Sequence, residues 1–134
     1  MGIEVESAAP LFQVFDMRRS VAFYRDVLGF EVIATSPSRG PDDFDWGLLR
    51  LEGIELMLNT AYEKDERPPE PDPSRVTAHA DTALFFACRD VDAAYAYLRA
   101  QGVSVEPPAI AQYGMKQLHF TDPDGYAICL QWPV

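Results

Sequence analysis

An internal duplication constrains the fold of this chain more strongly than any other feature. The same plan occurs in LFQVFDMRRSVAFYRDVLGFEV (11–32) and again in LFFACRDVDAAYAYLRAQGVSV (84–105). Each segment has a strand-like run, an aspartate suited to cap a helix, a helix-length stretch with apolar residues at helical spacing, and a glycine suited to end the helix. The capping aspartates are Asp16 and Asp90, and the terminating glycines are Gly29 and Gly102.

A second pair of matching segments adds strands to each half. Strand, tight turn and strand follow one another in GLLRLEGIELMLN (47–59) and in QLHFTDPDGYAICLQ (117–131). The turn signal is strong in the second segment, because Pro123 fixes φ and Gly125 accepts a positive φ. The sequence therefore predicts an α+β fold built from two βαβββ modules.

We expect one domain over residues 1–134, with a linker between its two halves. Module one is predicted at about 8–60, the linker at about 61–79 and module two at about 80–132. Four prolines in the linker are expected to exclude regular structure and leave it solvated. They are Pro68, Pro69, Pro71 and Pro73.

Charge and cysteine content narrow the class of partner. The formal net charge is −10, so nucleic acid is an unfavourable partner, because phosphate binding needs clustered Lys and Arg. The negative charge fits a solvated surface, and it also fits a cationic ligand. Cys88 and Cys129 match no zinc or redox spacing, which indicates reduced thiols in a cytoplasmic protein. The sequence has neither a signal-peptide pattern nor an apolar run of about 18 residues, so no membrane partner is expected.

The stretch DMRRSVAFYRDVLGFEV and the DPDG turn before the last strand, set in two βαβββ modules, resemble the vicinal oxygen chelate superfamily. That superfamily includes glyoxalase I, bleomycin-resistance proteins, fosfomycin-modifying enzymes and extradiol dioxygenases. The resemblance covers about residues 10–132. It implies a curved mixed sheet around a cleft, commonly completed by the partner in a homodimer.

The resemblance also implies where metal ligands would lie. Family members place one ligand in the first strand and one in the last strand of each module. The corresponding positions here are Ala9, Met57, Ala83 and Cys129. Two methyl groups, a thioether and one thiol do not form a divalent metal site of the family type. We therefore expect no metal and no other cofactor, as in metal-free members that resemble bleomycin-resistance proteins.

Strand alternation then predicts which side chains face the cleft. The expected lining is apolar with a few directed polar groups and several alanines, which is typical of a small-molecule pocket. Alternatively, the alanines only let the sheet curve and neighbouring side chains fill the cleft. The predicted ligand-binding residues are Gln13, Glu55, Met57, Asn59, Phe85, Tyr113, His119, Cys129 and Gln131.

Aromatic residues are expected near the mouth of the cleft, and Tyr113 among them is suited to stack on a planar ligand. Strand alternation predicts that Trp46 lies in the core. The loop at Ser36–Asp45 is predicted to be a long surface turn or a lid. The other expected rim residues are Phe44, Tyr62 and Trp132.

Three functions remain open at this point. The favoured one is metal-free binding of a cationic or aromatic small molecule, with no catalytic residue. The alternative is an enzyme, such as a lyase, an isomerase or a glyoxalase-like protein, that uses Glu55 and His119 as base and acid. The third is an interaction module with a filled cleft. Cys129 could also pair with His119 as a nucleophile, although a small buried thiol is the more common role.

Overall fold

The computed structural model describes residues 2–134, which form two compact units along the chain. The first unit ends at Pro69 and the second comprises Glu70–Val134. Each unit contains one four-stranded mixed sheet and one βαβββ module. The predicted α+β class and the duplication are therefore confirmed.

The first module follows the predicted order of elements. Asp16 caps the helix by accepting a hydrogen bond from the backbone N–H of Arg18 at 3.1 Å, as expected of an aspartate before a helix. The sheet order is β1-β4-β3-β2, with β1 parallel to β4 and the other pairs antiparallel. The elements are β1 (Leu11–Val14), α1 (Met17–Val21) continuing into a π-helical segment (Ala22–Val27), β2 (Glu31–Thr35), β3 (Trp46–Leu51) and β4 (Ile54–Thr60).

Part of the proline-rich segment is helical, contrary to the expectation that its prolines exclude regular structure. Helix α2 comprises Pro73–His79, and Asp72 caps it by accepting a hydrogen bond from the N–H of Ser74 at 2.9 Å. Proline is tolerated in the first helical turn, because the N–H that it lacks would have no partner there. Pro73 therefore starts this helix.

The second module repeats the architecture of the first. Asp90 caps its helix, and the sheet order is β5-β8-β7-β6 with β5 parallel to β8. No helix in residues 2–134 is long and apolar enough to cross a membrane. The elements are β5 (Ala83–Ala87), α3 (Val91–Ala100), β6 (Ala109–Ile110), β7 (Met115–Thr121) and β8 (Ala127–Pro133).

Alternation along the strands divides each sheet into a packed face and an open face. In the second module Leu118 and Ile128 are buried on the packed face, where α3 covers β7 and β8 with Val91 and Leu98. Burial of each such side chain contributes about 1.5–3 kcal/mol. In the first module the equivalent face contains Phe12, Val14, Leu49, Leu56 and Leu58, all buried.

Gly125 joins the β7–β8 turn to α2, and its replacement tests this packing. Its φ is +88°, and a Cβ there would lie 2.4 Å from the carbonyl oxygen of Val76 in α2. We expect Gly125→Ala to lower the free energy of unfolding by about 3 kcal/mol, because the strained φ and the clash add. Chemical denaturation measures the change.

Gly102→Ala is the matched control. Gly102 has a φ of +82°, yet a Cβ on this residue would have no other atom within 4 Å. Only the cost of the left-handed conformation applies, which is about 1 kcal/mol. Equal losses of stability in the two variants would contradict the contact between α2 and the turn.

Candidate ligand-binding site

The open face of the second module consists of facing side chains in three rows across the sheet. The registers of β5, β8 and β7 place these residues side by side, and alternation puts them on one face. The middle row has a large aromatic side chain, a thiol and an imidazole. The rows are Ala83–Ala127–Thr121, Phe85–Cys129–His119 and Ala87–Gln131–Gln117.

A hydrogen-bonded set of polar side chains lies on this face. The Nε2 of Gln117 donates to the hydroxyl of Tyr113 at 2.7 Å and to the Oε1 of Gln131 at 2.9 Å. The Oε1 of Gln117 lies 3.3 Å from the Nε2 of His119. Gln117 is buried and ties the other three side chains together, so it is a functional candidate that the predicted set omits. Strand alternation indicates this residue in the sequence, because Gln117 lies between Lys116 and Leu118 and so on the same face of the strand as His119.

Phe85 stands exposed beside this set. Its side chain is 56% exposed although it is large and apolar. Small residues surround it, since Ala83 and Ala87 are its neighbours on the same face of β5. The face therefore combines an exposed aromatic side chain, two exposed alanines and oriented amide groups.

Cys129 behaves as a buried thiol and not as an activated nucleophile. It is 1% exposed, and its Sγ lies 3.9 Å from the Nε2 of His119. Burial raises the pKa of the Cys129 thiol above its usual value, which a backbone hydrogen bond at Leu118 offsets only in part. The thiolate is the reactive form, so a raised pKa keeps the group protonated and inert near neutral pH.

The first module has an equivalent open face, on which four predicted residues lie. The Nδ2 of Asn59 donates to the Oε1 of Gln13 at 3.3 Å. Met57 faces Leu11 on β1 and Leu48 on β3, so its surroundings are apolar. Glu55 makes an ion pair with Arg50 across the β3–β4 hairpin, at 2.7 Å.

Two aromatic residues lie where they were not expected. Trp46 faces Asn59 in the β3–β4 register and so shares the open face with Asn59, whereas the core was predicted for it. Gly47 and Leu49 take the buried face instead. Phe44 was expected at the rim but is buried, because its ring fills the space above Gly47.

The pairing of Glu55 with His119 as base and acid stays a prediction. Glu55 belongs to the first unit and His119 to the second. The carboxylate of Glu55 is engaged by Arg50, and the imidazole of His119 contacts Gln117.

The donor set at the family's metal positions does not fit a divalent metal. Cys129 has Phe85 and His119 as its facing neighbours, and Met57 has two leucines. Within residues 2–134 no three His, Cys, Asp or Glu side chains gather closely enough to hold an ion. Catalytic zinc sites use three protein ligands of these types, and the four positions supply only the thiol of Cys129.

A cavity in the first unit was not predicted from the sequence. It has a volume of about 380 Å³ and lies where the loop after β2 meets the start of α1. Of the predicted rim residues, Phe44 and Tyr62 line it, but none of the nine predicted ligand-binding residues does. The loop at 36–45 carries the charged residues Arg39, Asp42, Asp43 and Asp45, which the sequence alone assigned to a surface turn or lid.

Alkylation of the native protein tests the state of Cys129. We expect iodoacetamide to modify Cys88, which is partly exposed, well before Cys129, which is buried. Burial raises the pKa of both thiols, so access of the reagent decides the order. Mass spectrometry of the digested protein gives both rates, and unfolding should equalise them. His119→Ala is the control. If iodoacetamide modified Cys129 faster in the wild type than in this variant, the imidazole would be activating the thiol.

Comparisons with known proteins agree with this geometry. A family model described as Glyoxalase/Bleomycin resistance protein/Dioxygenase superfamily matches residues 8–130. The structure of TnmS3, an antibiotic binding protein from Streptomyces sp. CB03234, is 28% identical, with 100% of this chain and 99% of that chain covered and a TM-score of 0.66. No curated protein matches the sequence.

Two further structures share the fold at lower identity. TioX from Micromonospora sp. ML1 is 18% identical with a TM-score of 0.72, covering 96% of this chain and 100% of that one. A glyoxalase/bleomycin resistance protein/dioxygenase from Nocardioides is 19% identical with a TM-score of 0.72, covering 98% and 86%. At these identities the likeness concerns the fold alone.

Proposed function

The chain belongs to the Glyoxalase/Bleomycin resistance protein/Dioxygenase superfamily, and we propose that it binds a small molecule and sequesters it without a metal. The ligand is an aromatic compound, cationic or neutral, in a resistance-like role. The open face of the second module carries this proposal, because an exposed Phe85 lies there beside amides held in place by hydrogen bonds. Ligand sites are typically apolar walls with a few oriented polar groups.

The aromatic part of the ligand follows from the side chains on this face. Phe85 and Tyr113 are both exposed and can stack on a flat ring system. Within residues 2–134 the Nε2 of Gln131 makes no hydrogen bond, so it is free to donate one to a ligand. The net charge of −10 favours a cation over an anion at long range.

Two other observations support ligand binding over catalysis. TnmS3, 28% identical over the whole chain, is described as an antibiotic binding protein. The family's metal positions hold Ala9, Met57, Ala83 and Cys129, which lack the donors that metal-dependent members need. A protonated Cys129 offers no nucleophile in their place.

The proposal includes a homodimer in the cytoplasm. The family resemblance implies a homodimer in which a partner commonly completes the cleft, and two-fold dimers are the commonest assemblies; Leu11 and Phe85 lie exposed on the open faces that such a partner would border. Light scattering on the purified protein should give twice the chain mass of 15.0 kDa. A mass of one chain at all concentrations would contradict the dimer.

Calorimetric titration with a panel of aromatic antibiotics, cationic and neutral, tests the binding function. We expect at least one compound to bind with the same affinity before and after treatment with a chelator. Phe85→Ala should weaken that binding about tenfold, since an aromatic contact is worth about 0.5–1.5 kcal/mol beyond its buried area.

Tyr97→Ala is the matched control, because Tyr97 is an exposed aromatic residue of the same module but lies on α3. It should leave the affinity unchanged. If no compound binds, or if the two variants weaken binding equally, the open face is not the binding site. If the chelator abolishes binding, the metal-free part of the proposal is wrong.

A further inference from the structure

The cavity of the first unit has the size of a small-molecule site. Its volume of about 380 Å³ falls within the range of about 300–1,000 Å³ that is usual for ligand pockets. Its walls come from the start of α1, the loop at 39–45 and the segment after β4. They carry charged side chains of both signs and a few aromatic rings, so its chemistry differs from that of the open sheet face.

Two of the carboxylates at this cavity are each paired with an arginine through two hydrogen bonds. Asp42 accepts two hydrogen bonds from Arg25, at 3.0 and 3.1 Å. Asp45 accepts two from Arg39, at 2.7 and 3.1 Å. The hydrogen bonds from Arg39 lower the pKa of Asp45 below its usual value, so this carboxylate stays charged and occupied.

Asp43 also accepts two hydrogen bonds from Arg39, at 3.1 and 3.3 Å, and two further cations lie near it. Arg18 and Lys64 are 3.7 and 3.8 Å away, beyond hydrogen-bond distance. The side chains of Arg18 and Lys64 are 65% and 58% exposed. Exposed ion pairs of this kind are weak, so an incoming anion could replace Asp43 as the partner of Arg18 and Lys64 at little cost.

Aromatic surface adjoins these two cations. The rings of Phe15 and Tyr62 meet edge to face, with centroids 6.2 Å apart. The guanidinium of Arg67 lies over Phe15 at 5.3 Å and 3.5 Å from the carboxylate of Asp16. The guanidinium of Arg19 also lies over Phe15, at 5.9 Å, so a flat ligand would replace one of these weak cation–π contacts on Phe15 while its charged group reaches Arg18 and Lys64.

We propose that this cavity is a second binding site, which takes a small aromatic oxyanion such as an aryl phosphate or aryl carboxylate. Arg18 and Lys64 bind the oxyanion, and Phe15 and Tyr62 contact the ring. The inference is independent of the proposed function, because it concerns other residues and a ligand of the opposite charge. The overall net charge of −10 is not concentrated at this cavity, because its lining has four aspartates against three arginines and one lysine.

Titration calorimetry with 2-naphthyl phosphate, 2-naphthol and inorganic phosphate tests the ligand class. We expect 2-naphthyl phosphate to bind about tenfold or more tightly than either of the others, because each of them lacks one of the two recognised groups. Raising the salt concentration to about 0.3 M should weaken its binding, since the contacts with Arg18 and Lys64 are exposed to solvent.

Asp43→Asn is the most informative variant, because the direction in which it changes the affinity distinguishes an anion site from a cation site. Removal of the carboxylate charge frees Arg18 and Lys64, so 2-naphthyl phosphate should bind about fivefold more tightly, as expected for a pair worth about 1 kcal/mol. Lys64→Gln should weaken binding by a similar factor. Partial unfolding cannot produce the tighter binding expected of Asp43→Asn.

Two controls separate this site from the rest of the molecule. Lys116→Gln removes the same charge from the second module, where Lys116 pairs with Asp92, and should leave the affinity unchanged. Phe85→Ala should also leave it unchanged. The proposal is overturned if 2-naphthyl phosphate does not bind, if Asp43→Asn weakens its binding or leaves it unaltered, or if Phe85→Ala abolishes it.

Discussion

The parallel pairing of the first and last strands in each module is the constraint on which the candidate site depends. It places Phe85 beside Cys129 and Leu11 beside Met57. Because strand side chains alternate, this register decides which residues face the helix and which remain on the open side. A shift by one residue in β8 would turn Gln131 to the packed face and Ile128 to the open face. The register is therefore fixed by the apolar residues that α3 covers.

The proposed function makes the open face of the second module a binding surface without a metal. A buried thiol stands where the resemblance implies a ligand, and its facing neighbours are a phenyl ring and an imidazole. In the proposed function, polar recognition passes instead to Gln117, which hydrogen-bonds with Tyr113 and Gln131 and so holds them in one arrangement. Groups oriented before binding lose less conformational entropy when a ligand arrives.

Local rules were sufficient to predict most of the fold. The capping aspartates, the turn at Asp122–Gly125 and the alternation of Leu118 with His119 each depend on a few neighbouring residues, and the structure agrees with all of them. The helix at Pro73 was missed because proline was taken as a breaker, whereas the first turn of a helix tolerates it. Trp46 was misplaced because its face depends on the register between β3 and β4, which the sequence does not fix.

The cavity of the first unit could not be predicted, because it depends on residues that are distant in sequence. Phe15, Asp43 and Lys64 come from three separate segments, and only the folded chain brings them together. The roles of Glu55 and His119 likewise depend on their partners, which strand alternation does not predict. Each has taken a partner within its own module, Arg50 for one and Gln117 for the other.

The most direct measurement of the central claim is an NMR titration of the side-chain amides of Gln117 and Gln131. The protein would be treated with a chelator, and the ligand would be an aromatic compound that binds in calorimetry. Metal-free binding on the open face predicts that both amide signals shift and saturate with the ligand. Signals that stay unchanged at saturation, or that shift only after a divalent metal is added, would contradict it.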